Sequence, residues 1–236
     1  MLRMLFGEPP RQSGGELLRT IQAMEQFASM LHKQIAQRGD TDHRLKKYRI
    51  WTMGLLAALD ELEQSQYAAL KFAEKVKSEC VEDMSAEELL HYHRHVYFDK
   101  NAFIRLFAVL DKLGTLMNEF LGLETERLKT HFSYFTVLRV MKQRNLYPEL
   151  SSALSELKEK YKDPLARLRK RRNTEIHYMN SEMQDDLLQS HQVNGGRYRL
   201  ENLNERLGDL EQAMEIVYKT LQLTFNHACA QMRKRR

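Results

Sequence analysis

The sequence is poor in the two residues that most often interrupt regular structure. It contains 10 glycines and 4 prolines in 236 residues. Many short strands would need these residues at frequent turns, so their scarcity argues against a β-sandwich or barrel. Hydrophobic residues make up 42% of the chain and charged residues 29%, which is ordinary for a globular protein. The composition therefore predicts few, long helices in one domain, or in one domain with a helical extension.

Cysteines and long apolar runs are scarce as well. The two cysteines, Cys80 and Cys229, are too few for a disulfide framework and are typical of reduced intracellular thiols. No apolar run approaches the roughly 18 residues of a membrane span, and the first apolar stretch is too short for a signal peptide. The sequence also lacks a glycine-rich phosphate loop, a nucleophile elbow and a dinucleotide fingerprint. We therefore expect a cytoplasmic protein without a membrane contact and without a cofactor.

Capping patterns and the helical spacing of apolar residues predict a series of helices. Ser13-Gly-Gly-Glu16 and Ser85-Ala-Glu-Glu88 are capping boxes, and Pro148 suits a first helical turn. The predicted helices cover residues 16–37, 42–79, 85–121, 148–161, 163–189 and 203–232, with a turn at Asn194-Gly-Gly196. A further predicted helix follows a turn at Gly122–Glu124 and ends near residue 143. We place a boundary near residues 82–85, which separates an N-terminal two-helix extension (1–84) from a helical bundle (85–236).

Positive charge is concentrated in one of these predicted helices. The net charge is +5, and residues 167–172 carry five basic side chains in six positions. The chain also ends in Arg233-Lys-Arg-Arg236. Such runs bind phosphates through counterion release when they lie on one surface. A solvated helix face is the other explanation, and for the tail it is the favoured one. The charge therefore permits an anionic partner such as RNA without requiring one.

The same helix contains Arg172, Asn173 and His177, which place a permanent cation, an amide and an imidazole within two turns. A metal-free ribonuclease would need these groups. At about 100° per residue around the helix, Arg172 falls within an apolar stripe, and His177 lies about 140° from Arg172. The stripe consists of Leu165, Ile176, Met179 and Met183. One straight helix cannot bring both groups to a compact site, so we expect a second helix or subunit to form the other wall.

Two polar residues of the third predicted helix, His95 and Asp99, fall on the apolar stripe of Leu106 and Leu110. Polar groups within a core are usually hydrogen-bonded to a buried partner. A guanidinium in an apolar stripe needs an anionic partner in turn, since an unpaired buried charge is strongly destabilising. We therefore predict that Asp99 pairs with Arg172 and that His95 supports the same site.

These residues resemble the signature of the HEPN family (higher eukaryotes and prokaryotes nucleotide-binding). Arg172, Asn173 and His177 match its Arg-Asn-x-x-x-His motif, late in an all-helical bundle. The segments Tyr97-Phe-Asp-Lys100 and Leu110-Asp-Lys-Leu113 are similar to an uncharacterised bacterial branch of the family. The resemblance covers about residues 85–230. It implies an antiparallel helical bundle that forms a homodimer and brings two motif copies into one cleft. Active members are metal-independent endoribonucleases.

The resemblance implies a role for each matching residue. His177 would transfer protons when a ribose 2′-hydroxyl attacks the adjacent phosphate and leaves a 2′,3′-cyclic phosphate. Arg172 would stabilise the charge of the transition state, and Asn173 would orient the imidazole or the phosphate. The residues that would follow the RNA backbone are Arg169, Lys170 and Arg171. Some toxin members carry a modified tyrosine two positions after the histidine. Here Met179 occupies that position, which departs from the pattern, and we expect the adjacent Tyr178 only to support the site. A protein partner such as an antitoxin is a further expectation.

Two other interpretations stay open. The motif residues would also suit the interface of a non-catalytic helical dimer, where carboxylates satisfy them. Alternatively, His91 and His95 stand four residues apart, as metal ligands do on a helix, and Asp99 continues the row. A further ligand would come from His131 or His177. Ordinary packing and capping histidines explain this row more simply, so we predict no metal site.

Overall fold

A computed structural model describes residues 2–177, 200 and 202–234 of the chain. Its α-helices, numbered in chain order, are α1 (Gly15–Arg38), α2 (Arg44–Ala73), α3 (Ala86–Leu121), α4 (Tyr134–Gln143), α5 (Pro148–Lys160), α6 (Lys162–His177) and α7 (Leu203–Lys234). Short 3₁₀ helices lie at Leu2–Phe6, Val81–Asp83 and Thr125–Arg127. Every secondary-structure element of the described part is helical, which confirms the all-α fold class.

Some predicted features lie outside the described residues. They are Tyr178, the continuation of the motif helix to Gln189 and the turn at Asn194-Gly-Gly196. The supporting role of Tyr178 in the site and the protein partner therefore stay predictions. None of the described helices combines the length and the apolarity that crossing a membrane would require.

The predicted extension of α2 to residue 79 is wrong, and a side chain from α3 explains why. The Glu88 carboxylate accepts hydrogen bonds from the backbone N–H groups of Lys77 and Ser78, both at 2.6 Å. These two bonds lower the pKa of Glu88, with the bond from Ser78 the larger cause. The N–H groups of Lys75 and Val76 bond to carbonyls only three residues back, and Glu88 then keeps the next two amides from continuing the helix beyond Ala73. The capping box at Ser85 forms in part, since Ser85 Oγ accepts the Glu88 N–H at 3.2 Å.

Two further helix starts differ from prediction. α1 begins after Gly14, which caps it without a side-chain hydrogen bond, so the predicted capping box at Ser13 does not form. α4 begins at Tyr134 and not near residue 124. The Asn118 side chain accepts the Thr125 backbone N–H at 2.8 Å and so fixes a 3₁₀ turn where the helix was predicted.

The described residues belong to two compact units, and each unit combines three stretches of the chain. The first contains the described residues of Met1–Pro10, Glu61–Arg105 and Lys162–Ala213, and includes the motif helix. The second contains those of Arg11–Asp60, Leu106–Tyr161 and Met214–Arg236. In the second unit, Phe27 packs edge-on against Phe120 with ring centres 5.2 Å apart and lies 5.5 Å from Phe225. The division of the chain at residue 84 stays a prediction.

Gly114 of α3 is expected to tolerate no side chain. A Cβ at this position would lie 2.9 Å from the Tyr134 Cα. Tyr134 is buried, and its backbone N–H donates to Asp111 Oδ1 at 2.9 Å, so it cannot easily retreat. We expect Gly114→Ala to lower the free energy of unfolding by about 1–2 kcal/mol, because overpacking outweighs the gain in helix propensity. Urea denaturation followed by circular dichroism measures the change.

Gly54 of α2 provides the matched control for this substitution. A Cβ at this position would meet nothing within 4 Å. Gly54→Ala is therefore expected to raise the free energy of unfolding by about 0.5–1 kcal/mol, through helix propensity and a less flexible unfolded chain. Opposite signs support the steric explanation for Gly114, whereas equal effects at the two positions would contradict it.

Candidate functional site

The motif lies at the end of α6, whose first turns are buried and whose last residues are exposed. Pro164, Leu165 and Leu168 are buried, residues 171–175 are half-buried, and Ile176 is 52% exposed. The inward face is therefore centred on Leu168 and not on the predicted stripe that included Ile176. Compared with the predicted face, the observed inward face is rotated by about 50° around the helix axis, so Arg171 and Glu175 point inward.

Arg171, and not Arg172, is the partner of Asp99, so the predicted Asp99–Arg172 pair is wrong. Asp99 is fully buried on α3, and its Oδ2 accepts a hydrogen bond from the Arg171 guanidinium. The Arg171 side chain is 18% exposed, and its guanidinium carbon lies 4.8 Å from the centre of the Phe103 ring. The rotated inward face of α6 explains the change of partner, because it brings Arg171 and not its neighbour towards α3.

Lys100 and Glu175 form a second ion pair between α3 and α6, which was not predicted from the sequence. Lys100 Nζ lies 3.1 Å from Glu175 Oε2, and the two side chains are 15% and 19% exposed. Lys100 follows Asp99, and Glu175 stands four residues after Arg171 on the same helix face. That spacing was the signal from which the pair could have been found. Together the two ion pairs fix the position of the motif helix along α3.

Arg172 and Asn173 are joined at the start of the motif. The Arg172 Nε and Nη2 groups donate to Asn173 Oδ1 at 3.3 and 2.9 Å. The amide therefore orients the guanidinium, and both side chains are half-buried. His177 is exposed and makes no hydrogen bond or ion pair with any described residue. The structure thus joins Arg172 to Asn173 by hydrogen bonds, and the regular helix keeps His177 on a different face from Arg172.

Two arginines of the basic run of α6 form ion pairs within the chain, and two further basic side chains of the run are exposed. Arg167 Nε donates to Asp209 Oδ2 of α7 at 2.8 Å, and Arg171 pairs with Asp99. Arg169 and Lys170 are exposed. Of the three residues predicted to follow an RNA backbone, two are therefore open to solvent, and Arg171 is anchored in the protein.

His95 lies next to Arg171 and Asp99 in a polar cluster within the first unit. The residue is fully buried, and its Nδ1 lies 2.9 Å from the backbone carbonyl oxygen of Ala69. Since a carbonyl only accepts, Nδ1 carries the proton. Burial lowers the pKa of the His95 imidazole, which keeps the ring neutral near neutral pH. In the described structure three buried atoms of the cluster lack a hydrogen-bond partner. They are His95 Nε2, Asp99 Oδ1 and Arg171 Nη1.

The histidine row of α3 does not converge on a metal site. The His91 ring stacks on Phe72 with centres 5.8 Å apart, and His95 Nδ1 is engaged by the carbonyl of Ala69. Within residues 2–177, 200 and 202–234, no three His, Cys, Asp or Glu side chains are grouped as metal ligands would be. The described geometry therefore gives His91 and His95 roles in packing and hydrogen bonding.

The described helices define an all-α protein. Its polar site lies on the cation-rich helix α6, which two ion pairs hold against α3. A family model described as HEPN_Cthe2314-like HEPN matches residues 51–229. The chain therefore belongs to this HEPN family, as its motif predicts, and the matched region begins before residue 85. Comparisons with curated proteins and with solved structures gave no match.

Proposed function

We propose that this protein binds RNA and cleaves it without a metal ion, as a cytoplasmic homodimer whose cleft joins two copies of the motif. The observation that supports the proposal most is the exposed His177 on a helix held by two ion pairs, with Arg172 oriented by Asn173. Membership of the HEPN family supports a nucleic-acid substrate. A guanidinium positioned by Asn173 and an accessible imidazole from the other copy would together supply the groups that phosphoryl transfer requires.

In the proposed reaction the ribose 2′-oxygen attacks the adjacent phosphorus, and the bond from phosphorus to the 5′-oxygen breaks. The products are a 2′,3′-cyclic phosphate and a 5′-hydroxyl. His177 accepts the proton of the 2′-hydroxyl and returns it to the leaving 5′-oxygen, so each site uses one imidazole. Arg172 pairs with the non-bridging oxygens, on which negative charge increases in the transition state.

Substrate binding in this proposal depends on the two exposed cations of the same helix. Arg169 and Lys170 are open to solvent and would contact phosphates on either side of the cleaved bond. Arg171 serves instead as a positioning residue, because its guanidinium is engaged by Asp99. RNA affinity is therefore expected to fall as the salt concentration rises.

The test is incubation of the purified protein with a panel of structured RNAs in EDTA, followed by analysis of the product ends. We expect cleavage that leaves 2′,3′-cyclic phosphate ends, and no cleavage where the reacting nucleotide lacks its 2′-hydroxyl. Absence of cleavage in EDTA, or equal cleavage of the deoxy-substituted strand, would contradict the proposed reaction. Binding without cleavage would instead favour a non-catalytic RNA-binding module.

A further inference from the structure

Three buried side chains of the first unit have more hydrogen-bonding capacity than their own contacts use. We call His95, Asp99 and Arg171 the His95 cluster. Arg171 Nη2 donates to Asp99 Oδ2, where a guanidinium and a carboxylate can form two parallel bonds. His95 is bonded through Nδ1, to the backbone carbonyl oxygen of Ala69. Arg171 Nη1, Asp99 Oδ1 and His95 Nε2 are buried and have no partner among the described residues. Because unsatisfied buried polar atoms are destabilising, three in one cluster indicate a ligand.

The three unsatisfied atoms belong to neighbouring side chains. Asp99 follows His95 by four residues, which places both on one face of α3. Asp99 Oδ1 and Arg171 Nη1 are the second arms of two groups whose first arms are bonded to each other, so they flank that bond. The charges of Asp99 and Arg171 both act on the His95 ring, which is fully buried. The three atoms therefore surround one small polar volume between α3 and α6.

The chemistry of the three atoms matches a water molecule. Arg171 Nη1 is a donor and Asp99 Oδ1 is an acceptor. Because Nδ1 carries the proton of the neutral ring, His95 Nε2 is a second acceptor. A water molecule accepts from one donor and donates to two acceptors, and buried waters typically make about three such bonds. The guanidinium disfavours a cation in this volume and the carboxylate disfavours an anion, so a small neutral ligand fits best.

We propose that the His95 cluster binds one internal water molecule and thereby makes the packing of α6 on α3 sensitive to the protonation of His95. The water accepts the Nη1 N–H of Arg171 and donates to His95 Nε2 and Asp99 Oδ1. It thus joins two side chains of α3 to the helix that carries the motif. The proposal goes beyond the proposed function, because it requires neither RNA nor a second subunit.

Protonation of His95 removes the match between the cluster and the water. Nε2 then donates, so the water meets two donors and one of its own protons loses its acceptor. Of the charges that act most on the ring, Arg171 of α6 and Arg206 of α7 oppose a positive imidazole, and Asp99 of its own helix favours it. From α2 the ring meets the carbonyl of Ala69. A second buried cation beside Arg171 therefore weakens the packing of α6.

The direction of the pH dependence follows from the burial of His95. Desolvation is the largest cause that lowers the pKa of His95 in the closed structure. When α6 leaves α3, water reaches the ring and its pKa returns towards the ordinary value of about 6.5. Below that pH the open state binds a proton that the closed state does not. The closed state is therefore most stable above about pH 6.5, and each pH unit below favours opening by up to about tenfold.

Hydrogen exchange of the α6 amides in the full chain measures this opening. His95→Asn keeps a side-chain N–H for the Ala69 carbonyl and cannot titrate. Between about pH 7 and pH 5.5, the opening constant of α6 is expected to rise at least about threefold more in the wild type than in His95→Asn. The control is His131→Asn, which removes an exposed histidine and should keep the wild-type pH dependence. An equal pH dependence in all three proteins would overturn the acid sensitivity.

Two measurements on the wild-type protein do not depend on the variants. Long-range ¹H–¹⁵N spectra are expected to show His95 neutral, with its proton on Nδ1, at a pH where His131 is already protonated. Titration of the two rings together would contradict the proposal. A high-resolution crystal structure at neutral pH is expected to show a water oxygen about 2.6–3.2 Å from Arg171 Nη1, Asp99 Oδ1 and His95 Nε2. Direct bonds from Nη1 to Oδ1 or Nε2 in place of that water would overturn it. Failure of RNA cleavage leaves these results standing.

Discussion

The Arg172→Ala and His177→Ala variants are each expected to lose RNA cleavage by at least about 10²-fold, and a mixture of the two to recover part of it. The reason is that α6 places the two residues about 140° apart around the helix, and no hydrogen bond or ion pair joins His177 to Arg172 or Asn173 within the described residues. A cleft between two copies can take the guanidinium from one copy and the imidazole from the other. After subunit exchange, an equimolar mixture should reach about a quarter of the wild-type rate, since half of the dimers hold one intact site.

Two substitutions outside the motif control for general effects on the protein. His131→Ala and Arg139→Ala remove an exposed imidazole and an exposed guanidinium, and both are expected to leave the cleavage rate unchanged. Initial rates are measured in EDTA at a fixed total protein concentration. Full loss in both motif variants without recovery on mixing would place Arg172 and His177 in one copy and contradict the composite cleft.

The bounds of a helix could be predicted from the sequence where residues in or next to that helix determine them. The predicted bounds of α3 and α7 agree with the structure within two residues, and Pro148 begins α5 as predicted. The errors occur where a side chain from elsewhere in the chain engages backbone amides. Glu88 accepts the N–H groups beyond the end of α2, and Asn118 accepts that of Thr125 before α4. Helix propensity and capping patterns contain no information about such contacts.

The candidate site was predictable only in part, for a related reason. Helical spacing correctly placed Asp99 in the core and separated Arg172 from His177. It could not show which face of α6 points inward, because packing against the rest of the unit decides that. Ile176 was counted as buried and is 52% exposed, so the arginine assigned to Asp99 was wrong by one position. The Lys100–Glu175 pair follows from the spacing of its residues once the inward face of α6 is known.

Replacing Asp99 by alanine is expected to lower the free energy of unfolding by about 3–5 kcal/mol. The Asp99 side chain is fully buried, and that of Arg171 is only 18% exposed. The substitution therefore leaves a guanidinium largely removed from water without its anion, beside the Phe103 ring. Urea denaturation followed by circular dichroism measures the loss. Lys100→Ala breaks the second, more exposed pair between the same helices and is expected to cost about 1 kcal/mol.

The double substitution Asp99→Leu/Arg171→Met separates the effect of charge from the effect of packing. It removes both charges and fills the space with apolar side chains, so it is expected to restore most of the stability lost in Asp99→Ala. Equal destabilisation by the two variants would contradict an electrostatic origin. Apolar contacts hold a helix less specifically than a directed hydrogen bond, so the stable double variant should still cleave RNA more slowly than the wild type. A wild-type rate would mean that the buried pair contributes stability alone and does not position Arg172.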